Sequence, residues 1–198
     1  MADQKRPYKM KRRAEQEEET RLRITESAME LHGTVGPART SISAVAARAG
    51  VRRSTVYRHF PDEAALFSAC STHWMALNPP PDLEAWAAIK DPEERLATAL
   101  DELYAYYERT EGMFDKLLRD AAAVAIVDEL IGAFRAFLEI TAETLIKGRK
   151  SRGHARRRQH AAIGHALAFG TWQDLCRTQG LDGGSAAELM MRLVAAAG

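Results

Sequence analysis

The chain has 198 residues, 46% of them hydrophobic, and a net charge of only +1. That charge is unevenly spread: residues 1–60 hold 13 Lys/Arg against 7 Asp/Glu, a net of +6, and the remainder hold 15 against 20, a net of −5. A basic head on an acidic body suits a polyanion-binding module joined to something else, although charged tails alone give the same imbalance.

There is enough apolar material for a real core. Abundant Ala with sparse Ile, Val and aromatic residues favours helix over strand. The N-terminus lacks the apolar stretch of a signal peptide, because Lys5, Arg6, Lys9, Lys11, Arg12 and Arg13 run into Glu15 and Glu17–Glu19. No run approaches the ~20 apolar residues of a membrane span, so a soluble, cytoplasmic protein without membrane contact is expected. Cys70 and Cys176 lie far apart in apolar helical patterns and are expected to be reduced, buried thiols rather than a disulfide or metal pair.

In chain order, residues 1–19 read as a basic, flexible arm. A helical period starts near Thr20, with Ile24, Ala28 and Leu31 on one stripe. It ends at His32-Gly33, and Gly36-Pro37 marks a loop. A short helix is expected from Ile42 to Ala49, capped by Ser41, with Ile42, Val45, Ala46 and Ala49 inward. Gly50 supplies a turn, and a further short helix covers about Arg53–His59 with Val56, Tyr57 and Phe60 inward. Asp62 caps the next helix, which Asn78-Pro79-Pro80-Pro81 stops.

After a linker carrying Trp86, a helix runs from Asp91-Pro92 to about Arg109, and a separate short one covers Met113–Asp120. A long helix spans about Ala123–Lys147. A basic break follows (Lys147, Arg149, Lys150, Arg152, Arg156–Arg158), read as a solvated loop and helix start with a second nucleic-acid site as the alternative. An Ala/Gly-rich helix continues to about Thr178, and Ser185-Ala-Ala-Glu188 reads as the capping box of the last one. The expectation is an all-α chain of about nine helices: arm 1–19, head 20–64 and helical body 65–198.

The most informative stretch is Thr40–Leu66, TSISAVAARAGVRRSTVYRHFPDEAAL. Two short amphipathic helices joined by a Gly-containing turn form a helix-turn-helix, whose second helix enters the DNA major groove. Its outward N-terminal residues Arg52, Arg53, Ser54 and Thr55 can reach base edges and phosphates. Tyr57 and His59 carry donors suited to phosphate oxygens, although each also reads as a core residue, and Arg58 points out on another turn. The basic arm, here Lys11, Arg12 and Arg13, is a second candidate contact that follows phosphates or enters a minor groove.

Apolar-Ala-x-x-Ala-Gly-Val, then Thr-apolar-Tyr-x-His-Phe, then an acidic helix start and Leu, resembles the DNA-binding domain of the tetracycline-repressor (TetR) family over about Thr20–Cys70. The resemblance implies a three-helix DNA-binding domain followed by a helical ligand-binding and dimerisation domain. It places Ser43, Arg52, Arg53, Ser54, Thr55, Tyr57 and His59 at or near DNA. Three departures stand out. Arg52 replaces a small capping residue, gaining a guanidinium able to read guanine. Ser54 replaces a Gly, Ala or Pro. Glu63 stands where a Lys often meets a phosphate, so that contact is dropped.

No catalytic arrangement is visible: there is no phosphate-cradling Gly loop and no nucleophile elbow. Cys70-x-x-His73 is a lone pair, and His160 and His165 are poorly spaced for one helix face. Neither an enzyme nor a cofactor or metal is expected; an all-helical enzyme and a helical adaptor remain the rival classes. The resemblance implies a homodimer on a palindromic operator, most commonly a repressor released by a small molecule.

For the effector, the candidates are Trp74, Tyr104, Tyr107, Phe114, Leu117, Phe134, Phe137, Leu138, Thr141, His165, Phe169 and Trp172, pointing to an apolar or aromatic compound. Arg119 and Asp120 read as polar anchors or a surface pair. For the dimer seam, Ala161, Gly164 and Ala168 allow close helix approach, and Leu189, Leu193 and Val194 supply apolar contact. The helix over Asp62–Ala76 reads as the lever between head and body.

Overall fold

The computed structural model describes the chain from residue 5 to residue 198, with side chains from residue 10. It is all-α: among the described residues there are ten α-helices and no strand. They are α1 (Lys5–Thr34), α2 (Ile42–Arg48), α3 (Arg53–His59), α4 (Glu63–Leu77), α5 (Leu83–Ala88), α6 (Pro92–Asp120), α7 (Ala125–Leu145), α8 (Gly153–Leu167), α9 (Phe169–Gln173) and α10 (Gly183–Ala196). The chain forms two compact units. The head is Met1–Pro79 with Asp115–Asp128, and the body is Pro80–Phe114 with Glu129–Gly198.

In the head, α1 packs on α2 and α4, and α2 packs on α3. The core is Ile24, Ala28, Ile42, Val45, Ala46, Ala49, Val56, Phe60, Leu66 and Cys70, largely the stripe read from the sequence. Caps fall where expected: Ser41 accepts from the Ala44 N–H (3.2 Å) and Asp62 from the Ala65 N–H (2.7 Å). The head runs past the expected limit at residue 64, because Leu66 and Cys70 bury their side chains in its core.

Helix α1 starts at Lys5, not near Thr20, so the segment expected as a flexible arm is helical from there on. Ion pairs one turn apart, Lys11–Glu15 (3.9 Å) and Arg13–Glu17 (3.3 Å), support the polar extension. Residues 1–4 of the arm lie outside the described residues.

In the body, the two helices expected over Asp91–Asp120 are one: α6 continues through Thr110–Gly112, where Thr110 is buried and its hydroxyl donates to the Tyr106 carbonyl. The presumed linker at Trp86 is α5, capped by Asp82; Trp86 is buried and its indole N–H donates to Glu102 (2.8 Å). The last helix is capped by Asp182, three residues ahead of the expected Ser185. The Asp182 carboxylate accepts from both the N–H and the hydroxyl of Ser185.

The helix expected to run unbroken to Thr178 is interrupted at Ala168, which is extended (φ −70°, ψ 133°). After the break come α9 and a wide turn over Asp174–Thr178. A break of this kind strands buried carbonyls. Two tyrosines from α6 satisfy them: Tyr104 donates to the Ala166 carbonyl (2.8 Å) and Tyr107 to the Leu167 carbonyl (2.7 Å).

The basic break is not simply solvated. The Arg149 side chain is 3% exposed and pairs with Glu93. Arg149, Arg156 and Arg95 donate to the Leu145, Ile146 and Lys147 carbonyls, respectively. Three guanidiniums thus gather where α7 ends, where cations complement the helix dipole.

Candidate functional site

The α2–α3 junction sets the geometry of the reading surface. Gly50 holds φ +66°, and two backbone bonds close the end of α2: the Gly50 N–H to Ala47 (3.3 Å) and the Val51 N–H to Ala46 (2.9 Å). This left-handed termination turns the chain tightly and suits glycine. Helix α3 then buries Val56 against the core. Ser43, Arg52, Arg53, Ser54, Tyr57 and Arg58 are exposed, and Thr55 is half-buried. Helix α3 has seven residues, and an α-helix about 10–12 Å in diameter is what a major groove about 12 Å wide admits.

Arg52 is the N-cap of α3 and makes no side-chain cap bond, as its identity predicts. Its guanidinium is left on the surface. Tyr57, expected to face inward, is instead 42% exposed. His59 is half-buried; its Nε2 is shielded from solvent and has no hydrogen-bond partner among the described residues. Burial first, and then Arg58 and Arg21, push its pKa down from the ordinary histidine value. Arg21 of α1 fixes this end of α3, donating to the His59 carbonyl (2.9 Å) and lying over the Phe60 ring (4.3 Å). On the α1 extension, Lys11, Arg12 and Arg13 are exposed. The side chains of Lys5, Arg6 and Lys9 lie outside the described residues.

A second construction supports the loop into α2. Asp120, 5% exposed, accepts from the Ala38 N–H (3.0 Å) and from Arg119, which also donates to the Val35 carbonyl (2.9 Å). The Arg119 bond is the first reason the Asp120 carboxyl lies below its ordinary pKa, with the Ala38 N–H adding to it. Neither expected role, effector anchor or surface pair, describes this latch. No local sequence signal could have shown it, because its partners are over 80 residues apart.

Residues 24–70 match the family model of bacterial regulatory proteins of the tetR family. Over those residues the head is similar to the DNA-binding domain of the TetR family. Solved structures with the same fold include a TetR-like transcriptional regulator from Rhodococcus sp. RHA1. It is 20% identical, has a TM-score of 0.63, and the match covers 88% of this chain and 93% of that one. Another is NalD, the secondary repressor of the MexAB-OprM multidrug efflux pump in Pseudomonas aeruginosa, at 23% identity and TM-score 0.60, covering 92% and 97%. A comparison with curated proteins finds no match. The matched residues span the end of α1, all of α2 and α3, and the first half of α4.

The effector candidates divide between the units. Tyr104, Tyr107, Phe114, Phe169 and Trp172 are buried in the body. Tyr107 makes edge contacts with Phe169 (5.3 Å) and Phe134 (6.3 Å), and Phe114 meets Phe134 at 4.8 Å. Phe137 stacks on Phe134 (6.1 Å) and is half-buried, as is Leu138, and Thr141 is buried with its hydroxyl donating to the Phe137 carbonyl. His165 is exposed, because α8 turns Ala166 and Leu167 inward. Leu117 and Trp74 belong to the head.

Of the seam candidates, Ala161 and Gly164 are exposed, Ala168 is half-buried, and Leu189 (44%) and Leu193 (42%) are open to solvent. Val194 is fully buried within the chain, where α10 packs on α8, and its carbonyl accepts from Gln159 (3.2 Å). Among the described residues no group of His, Cys, Asp and Glu could hold a metal, and no helix is long and apolar enough to cross a membrane.

Proposed function

We propose that the protein is a cytoplasmic homodimeric repressor that binds a two-fold symmetric operator and releases it on binding an apolar or aromatic small molecule. The observation that carries the DNA-binding part is the exposed edge Arg52-Arg53-Ser54 of α3, held out from a core that buries Val56 and Phe60. Two such helices on a dimer enter successive major grooves about one helical turn apart, which requires a palindrome. Arg53, with Arg52, Ser54 and Thr55, addresses base edges; Ser43, Tyr57, Arg58 and His59 address the backbone. Lys11, Arg12 and Arg13 address flanking phosphates: a helix about 10 Å wide does not fit a minor groove about 6 Å wide.

The dimer seam is the small-residue face of α8 at Ala161 and Gly164, with Ala168 at the break that follows it, and Leu189 and Leu193 of α10. The effector site is the aromatic cluster of the body. Both of its interior tyrosine hydroxyls are engaged with backbone carbonyls, which favours a ligand held by ring contacts over one held by hydrogen bonds. The ligand lowers DNA affinity only by binding the DNA-incompetent arrangement more tightly, and a tenfold preference gives about 1.4 kcal/mol.

The test is binding of the purified protein to DNA flanking its own gene at two salt concentrations, with Arg53→Ala and Tyr57→Phe. Sequence-selective binding that Arg53→Ala weakens by about 1–3 kcal/mol is expected. Equal, weak binding to every sequence, including after selection from a randomised pool, overturns the proposal.

A further inference from the structure

The head contains a cavity of about 120 Å³. Its walls include His32 of α1, Ile42 and Val45 of α2, Leu66 and Phe67 of α4, and Ile126 of α7. The walls are mainly apolar. The polar wall residues are Thr40, Ser41, Glu63 and His32, and of these only His32 is buried, at 8% exposed. A void of this size matches compact ring compounds: an engineered apolar cavity of about 150 Å³ binds benzene.

The chemistry around His32 fixes which ring nitrogen is available. Cys70 is buried, and burial pushes its thiol up to about 12, so it carries its proton. That S–H faces the Phe67 carbonyl (3.1 Å), leaving sulfur to accept. The His32 Nδ1 lies 3.3 Å from the same sulfur. Since the thiol proton goes to Phe67, the Nδ1–Sγ bond needs its hydrogen on Nδ1. His32 is held neutral, its pKa lowered to about 4 chiefly by burial, so it carries only that one proton. Nε2 is therefore a bare acceptor, and among the described residues it has no hydrogen-bond partner. A donor on a bound molecule can take the place of water at this acceptor.

We infer that this cavity is a binding site for a small neutral molecule with a compact apolar or aromatic body and one O–H or N–H donor, which meets Nε2 of His32. The molecule packs against α2 and α4 through Ile42, Val45, Leu66 and Phe67. The site lies wholly in the head and is separate from the body's aromatic cluster, so it stands whether or not that cluster binds an effector.

The experiment uses the full chain labelled with ¹⁵N-histidine, with phenol as the probe and benzene as the donor-free comparator. The expected result is a saturable shift of the His32 Nε2 resonance with phenol. His32→Phe keeps an aromatic ring but removes the acceptor. It should weaken phenol about three- to tenfold, the worth of one hydrogen bond, and leave benzene binding nearly unchanged. The wild-type titration stands alone if that variant does not fold. A His32 signal unmoved by phenol overturns the inference, whether a water already occupies Nε2 or phenol binds only elsewhere. Equal weakening of phenol and benzene in His32→Phe also overturns it, because the donor would then have no role.

Discussion

Gly36→Ala tests the latch on the loop into α2. Gly36 has φ +93° and ψ 157°, a backbone region that only glycine adopts freely. Holding an alanine there costs about 1–3 kcal/mol. A methyl group at this position would also overlap the Arg119 guanidinium and the Asp120 carboxylate. To make room, Asp120 must give up its bond to the Ala38 N–H, a charge-assisted contact worth about 1.5–3 kcal/mol. The two costs together come to about 2.5–6 kcal/mol, a large part of the ~5–15 kcal/mol that holds a domain folded. Urea denaturation followed by circular dichroism reads the total, and hydrogen exchange at the Ala38 amide reads the latch. In an Asp120→Ala background the carboxylate term is already gone, so Gly36→Ala should cost only the backbone part, about 1–3 kcal/mol. A cost below about 1 kcal/mol in the wild type, or the same cost in both backgrounds, refutes the reasoning.

Tyr107→Phe should destabilise the chain by about 1–3 kcal/mol in urea denaturation, because it strands the buried Leu167 carbonyl. Asp120 has its pKa depressed in the fold, so its contribution is complete above the unfolded carboxyl value of about 4 and is lost as pH falls through the lowered one. Asp120→Asn should therefore flatten the acid limb of a stability–pH curve, and an unchanged limb would assign acid sensitivity to other groups. Leu189→Arg with Leu193→Arg should convert dimer to monomer in sedimentation and leave the circular dichroism spectrum intact, since both side chains are solvent-exposed within the chain. A dimer that survives places the seam elsewhere.

The head was readable because its signals are local. Ile42, Val45, Ala46 and Ala49 repeat at helical spacing, Ser41 and Asp62 are short polar caps, and Gly50 sits where α2 must end in a left-handed residue. The body was less readable wherever long-range contacts overrode local preference. The break expected between Arg109 and Met113 is absent, because the single helical Gly112 costs only about 1 kcal/mol and Glu111 is anchored by Arg177 (2.9 Å). The break at Ala168 involves neither Gly nor Pro and depends on tyrosines some 60 residues earlier. Val194 shares a stripe with Leu189 and Leu193 in the sequence, yet it turns inward because α10 packs on α8. The extent of α1 was missed for the opposite reason: a highly charged segment reads as tail, although its charges pair one turn apart.

The two tyrosines at the Ala168 break tie distant parts of the chain into one heritable unit. Among the described residues each hydroxyl donates to one of these carbonyls, and neither carbonyl has another side-chain donor. Replacing both by phenylalanine would favour a descendant in which Ala168 becomes helical, and α8 and α9 would then merge and rotate every residue beyond the junction. Tyr104, Tyr107 and the irregular backbone should accordingly be kept or lost together across descendants of this sequence. The rings themselves would satisfy a demand for bulk alone, so it is the loss of two oxygen atoms that would redraw the second half of the body.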